Sequence, residues 1–148
     1  MTEHALAATT AEGRQLSGSL LLVGTAGVIG GVLLAIVTTF AADAVSGPIR
    51  VEAFGDPLAE IALSDVILYT ALGGVLAMAG ALGVRRIPAG LSAFLVLSVL
   101  VLIGAGVLSL VAAETTSAGL WLNVIHLAAA GPIVAALSLW LKAKSASS

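Results

Sequence analysis

Apolar residues in this chain come in four long runs broken by short polar stretches, from about Ser17 to Ala42, Ala62 to Val84, Leu91 to Ala112 and Leu120 to Leu141. None of the runs contains Lys or Arg. A helix rises about 1.5 Å per residue, so about 20 mostly apolar residues cross a hydrocarbon core about 30 Å thick with every backbone amide paired internally. Each run meets that length. The pattern predicts an all-α protein, a bundle of four transmembrane helices over residues 17–141.

The connections differ in kind. Arg85-Arg86-Ile87-Pro88 is a tight turn and Ala113 to Gly119 a short link, while Asp43 to Ile61 is long enough to carry structure. In that loop Gly47-Pro48 and Gly55-Asp56-Pro57 are turn signals, and Ile49 to Phe54 alternates as a short strand would. Residues 1–16 form a polar arm, expected to be disordered, and 142–148 a short polar tail.

Composition removes the soluble alternative. Of 148 residues, 59% are hydrophobic and 9% charged, too few charges to coat a water-soluble core of this size. The absence of Cys excludes disulfides, thiolate metal sites and a Cys nucleophile. A formal net charge of -2 gives no basic surface for nucleic acid. The distribution of charge says more than its sum. Threading the spans alternately places Arg14, Arg85, Arg86, Lys142 and Lys144 on one side and only Arg50 on the other. The positive-inside rule then makes both termini and the second loop cytoplasmic and the topology up-down-up-down. Asp43, Glu52, Asp56, Glu60 and Glu114 fall outside, and Trp121 and Trp140 near the ends of the last span fit interfacial anchors. A cleaved leader is the alternative for the first span, with Ala42-Asp43-Ala44 as small residues near a cleavage point. The run exceeds the roughly 7–15 residues of a leader's apolar region and reads as a span.

Small residues mark where helices approach closely. Gly27 and Gly31 form a GxxxG pair, and Gly73, Ala77 and Ala81 continue the pattern in the second span. These two helices are expected to pack on each other or across a homo-oligomer. Pro132 removes one hydrogen bond from the fourth span and predicts a kink.

Polar groups inside spans are costly, so they mark candidate sites. Asp65 and Tyr69 share a face of the second span, and Asn123 and His126 a face of the fourth. Tyr69 and His126 fall at similar depth, about 10 Å inside the outer boundary at 1.5 Å per residue. Ser109 and Thr38/Thr39 enter the same layer from the third and first spans. The cluster has two readings: a proton-binding or ligand-orienting site around His126, or a hydrogen-bonded lock between helices in which His126, Asn123 and Tyr69 satisfy one another. Asp65 has a third, as a solvated cap of the second helix with Ser64. No nucleophile elbow, phosphate loop or HExxH is present, His4 sits in the arm, and His126 has no second His at i+4. No catalytic residue, metal or cofactor is expected.

The acidic outer loop, the Gly-rich second span closing on Arg85-Arg86, Leu108-Ser109-Leu110, and Asn123-Val124-Ile125-His126-Leu127 followed by Ala128 resemble an uncharacterised actinobacterial family of small four-helix integral membrane proteins, a domain of unknown function. The resemblance covers about Asp43 to Leu141, although Ser109 is followed here by Leu110 where that family often has Pro. It implies a multi-pass protein of a bacterial plasma membrane and assigns no activity. The sequence therefore points to a non-enzymatic accessory, scaffold or envelope-sensing protein. Its expected partners are the lipid bilayer and a second copy or another membrane protein. The alternative is a small oligomeric transporter or channel using the outer-half polar cluster.

Overall fold

The computed structural model describes residues 3–52 and 58–145, with side chains from residue 19 onward. Four helices dominate: α1 (Glu3–Ser46), α2 (Leu63–Val84), α3 (Gly90–Ala112) and α4 (Thr116–Ser145). Each contains a stretch long and apolar enough to span a membrane, in α1 the part Ser19–Ser46. The order of the spans and their boundaries on α2 and α3 follow the hydropathy pattern closely. Two ends do not. The arm before Ser17, expected to be disordered, continues α1 back to Glu3, and the tail continues α4 to Ser145. Extending a nucleated helix adds one hydrogen bond per residue fixed, and Ala, Leu, Glu, Gln and Arg in the arm are good helix formers. Arg14 lies in the part of α1 whose side chains are outside the described set, as are residues 146–148 altogether.

Local chemistry sets the helix ends. α1 stops at Gly47, whose φ of 77° lies in the left-handed region and whose N–H returns to the Asp43 carbonyl at 3.0 Å. α2 begins with the Asp65 carboxylate accepting the Ala62 N–H at 3.2 Å, and α4 with the Thr115 hydroxyl oxygen accepting the Ala118 N–H at 3.1 Å. The assignment of α4 is unbroken through Pro132.

The long loop is a β-hairpin. β1 (Arg50–Val51) pairs antiparallel with β2 (Ala59–Glu60), with Arg50 opposite Glu60 and Val51 opposite Ala59. The strand expected at Ile49 to Phe54 is thus present over two of its residues, while Ala53, Phe54 and the Gly55-Asp56-Pro57 turn lie outside the described residues. β1 also pairs on its other edge with the α3–α4 link: Glu52 N–H donates to the Ala112 carbonyl at 2.8 Å and Glu114 N–H to the Arg50 carbonyl at 3.1 Å. Both edges of β1 are therefore hydrogen-bonded, and the hairpin ties the end of α1 to the α3–α4 connection.

α4 packs against each of the other helices, most extensively against α1, whereas α2 and α3 touch each other sparingly. Two buried clusters form the core. At the hairpin end Ala35, Ala42, Ile49, Val66, Ala118, Leu122 and Ile125 pack together. At the other end Leu20, Ala81, Phe94, Ile133, Leu137, Trp140 and Leu141 do so. The outward faces of α2 and α3 remain apolar, with Leu68, Leu72, Val75, Val96, Leu100 and Ile103 among their exposed residues. Contiguous apolar surface of this kind is sustained in lipid, not in water.

The close helix approach differs in pairing from the sequence expectation. Gly27 and Gly31 lie against α4, beside Ile133, Ala136 and Ala129, rather than against α2. On α2 it is Gly74 that receives Val28 of α1, while Gly73, one residue away, faces open space. Ala81 is fully buried and Ala77 packs on the same core. The tryptophans also act inward. Trp121 Nε1 donates to Ser46 Oγ at 2.8 Å and Trp140 Nε1 to Ser19 Oγ at 3.2 Å, so α4 is pinned to α1 near both ends. Trp140 is only 5% exposed and serves the core as well as any interface.

Candidate functional site: a polar tie beside a groove

Three of the five residues singled out for a polar cluster come together, all between α3 and α4. Ser109 Oγ donates to the Ala105 carbonyl of its own helix at 2.8 Å. His126 Nδ1 lies 2.8 Å from the Leu122 carbonyl and 3.3 Å from Ser109 Oγ. A carbonyl only accepts, so Nδ1 carries a proton and shares it between Leu122 O and Ser109 Oγ. Asn123 Nδ2 donates to the Gly119 carbonyl at 2.9 Å and across to the Gly106 carbonyl of α3 at 3.3 Å. Two side chains of α4 thereby bridge to α3 at successive turns.

The other two residues stand apart. Asp65 accepts the Ala62 N–H, which is its capping role, and Tyr69 is 70% exposed. Neither has a hydrogen bond to His126 among the described residues. Thr38 and Thr39 turn back on the Leu34 and Ala35 carbonyls of their own helix and do not enter the layer. What unites Asp65, Tyr69 and His126 is a cavity: all three line a groove of about 760 Å³ between α2 and α3, floored by α4. Glu60, Thr70 and Ser98 line it too. Sequence reading missed these three because it ranked polar residues by depth within single spans. The groove itself arises from the sparse contact between α2 and α3, which no local pattern encodes.

This arrangement holds helices together beside an amphipathic concavity. Among the described residues no three His, Asp or Glu side chains converge as metal ligands would. Comparison of the chain with protein-family models, with curated proteins and with solved structures gives no match.

The tie has a measurable strength. Hydrogen bonds between membrane helices average about 0.6 kcal/mol and reach about 1.7 kcal/mol. His126→Ala and Ser109→Ala are each expected to lower stability within that range, and the double variant to cost less than their sum, because they share one bond. Reversible unfolding in mixed micelles checks it.

Proposed function

We propose that the chain is a non-enzymatic accessory, scaffold or envelope-sensing protein of a bacterial plasma membrane, working through helix packing and surface contacts. The observation that carries this reading is how the polar groups inside the spans are used. Ser109, Asn123 and His126 tie α3 to α4, and Asp65 caps its own helix. No row of ionisable groups runs from one end of the described bundle to the other, as a proton or ion path would require. The paired hairpin supplies a structured surface at one end, where a partner's extramembrane part would make contact.

The topology we infer is up-down-up-down with both termini cytoplasmic. Its supports are the positive-inside distribution of Arg14, Arg85, Arg86, Lys142 and Lys144 and the two clusters of core residues. One cluster gathers the ends of α1 with the starts of α2 and α4, the other the start of α1 with the ends of α2 and α4 and the start of α3. The resemblance to the actinobacterial four-helix family supports the plasma-membrane assignment.

A small oligomeric transporter is the second reading, favoured by one observation: His126 lines the groove together with Asp65 and Tyr69. Purification from the native membrane in mild detergent, with mass measurement of every co-purifying chain, separates the two. A stoichiometric unrelated membrane protein is the expected result. A homo-oligomer that moves protons into proteoliposomes, with uptake lost in His126→Ala, would replace the accessory reading with transport.

A further inference from the structure

The groove between α2 and α3 has the form of a slot for an amphiphile. On its α2 wall it runs from Asp65 to Gly80, a distance of about 22 Å at 1.5 Å per residue. That is about three-quarters of a hydrocarbon core about 30 Å thick. Its body is apolar, with Leu76, Phe94, Leu97, Val101 and Ile133 in the walls and floor. Gly73 and Gly80 line it with free space over their backbone: a Cβ added at either would meet no atom within 4 Å. The volume of about 760 Å³ is in the range of ligand-holding clefts, roughly 300–1,000 Å³.

Charge is confined to one end. Glu60 and Asp65 line the mouth beneath the hairpin, with Tyr69 one turn deeper than Asp65. Arg50 stands directly opposite Glu60 in the strand pair, so its side chain emerges on the same face of the ladder. Two carboxylates at the head of a long apolar slot, with Arg50 outside the groove lining but paired with Glu60 across the strands, complement a zwitterionic head group attached to a hydrocarbon chain.

We propose that this groove binds one membrane phospholipid with a primary ammonium head group, its chain lying between α2 and α3 and its head group at Glu60, Asp65 and Arg50. The ammonium donates to the Glu60 and Asp65 carboxylates, and the phosphate meets the Arg50 guanidinium. A transmembrane helix of a partner would fill the apolar slot equally but leave both carboxylates without a counter-charge at its mouth. An anionic lipid lacking an amine could still place its phosphate at Arg50 but would offer the Glu60 and Asp65 carboxylates no cation. The assignment rests on the reading that the hairpin end lies in a headgroup layer of the bilayer.

The test is native mass spectrometry of the purified full chain in mild detergent, titrated with phosphatidylethanolamine or with phosphatidylglycerol of identical acyl chains. One phosphatidylethanolamine per chain is expected, retained about tenfold better than phosphatidylglycerol, the scale of one charge-assisted hydrogen bond. Glu60→Gln with Asp65→Asn, which keeps an acceptor for the Ala62 N–H, is expected to erase that preference. Gly80→Leu fills the slot and is expected to reduce retention of both lipids. Gly104→Leu, at a glycine of α3 with equal free space but outside the groove, is expected to bind as the native chain does. Equal retention of the two lipids, no adduct with either, or Gly80→Leu behaving as Gly104→Leu would each overturn the assignment. The experiment uses the isolated chain, so its failure leaves the accessory reading standing, and the absence of a protein partner leaves the lipid result standing.

Discussion

Gly31→Leu is expected to yield little folded, monodisperse protein, whereas Gly104→Leu is expected to purify as the native chain does. Even a methyl group at Gly31 would run into the Ala129 carbonyl of α4, with Ile133 Cδ1 a further 3.3 Å neighbour. The obstacle is backbone, so no rotamer change relieves it. Overpacking of this kind costs about 1–3 kcal/mol, and in lipid no hydrophobic gain from helix association offsets it. The alanine variants sharpen the contrast. Gly→Ala in a helix interior gains about 0.5–1 kcal/mol from backbone entropy, which is all that Gly104→Ala feels, since a Cβ there meets nothing within 4 Å. At Gly31 the clash exceeds that gain. Gly104→Ala is therefore expected to stabilise and Gly31→Ala to destabilise, and unfolding in mixed micelles reads both signs.

Trp140→Ala is expected to be the most damaging truncation, at about 3–5 kcal/mol. Its indole is 5% exposed, packs with Leu20, Phe94 and Leu137, and donates to Ser19 Oγ. Removing it opens a cavity where α1, α3 and α4 meet and loses the pin between α1 and α4. Trp140→Phe keeps most of the packing and loses the donor, so about 1 kcal/mol is expected, the usual net value of one hydrogen bond. A Phe variant as damaging as Ala would mean that the hydrogen bond, rather than the packing, holds this end together. The same micelle unfolding assay compares both variants.

The spans were legible because a helix crossing lipid must be apolar along a minimum length. Expected limits of 62–84 and 91–112 compare with Leu63–Val84 and Gly90–Ala112. The polar extensions of α1 to Glu3 and α4 to Ser145 carry no such signal, since outside the hydrocarbon a helix need not be apolar. Helix rotation was not legible either. These helices are apolar nearly all round, so no polar stripe marks the face turned to lipid, and nothing in the sequence told that Gly27 and Gly31 lie against α4 while α1 meets α2 through Val28 and Gly74. The polar tie was partly legible. A polar Asn, His or Ser in a span must find a partner: His126 meets Ser109, whereas Asn123 bonds to the Gly106 and Gly119 carbonyls rather than to His126. Asp65 and Tyr69 shared their depth and were grouped with them, yet they stand on the α2 wall of the groove. The hairpin lay between: Arg50–Val51 fell inside the alternating segment, but its pairing with Ala59–Glu60 and Ala113 is long-range and leaves no local trace.

The central claim is a membrane bundle whose hairpin end faces outward and whose Arg85–Arg86 turn faces the cytoplasm. Because the chain has no Cys, single cysteines introduced by Ala59→Cys, Glu114→Cys and Ala89→Cys report side directly, each at an exposed position. With a membrane-impermeant maleimide on intact cells, Ala59→Cys and Glu114→Cys are predicted to label and Ala89→Cys to label only after permeabilisation. Labelling of Ala89→Cys on intact cells, or of all three alike, would contradict it.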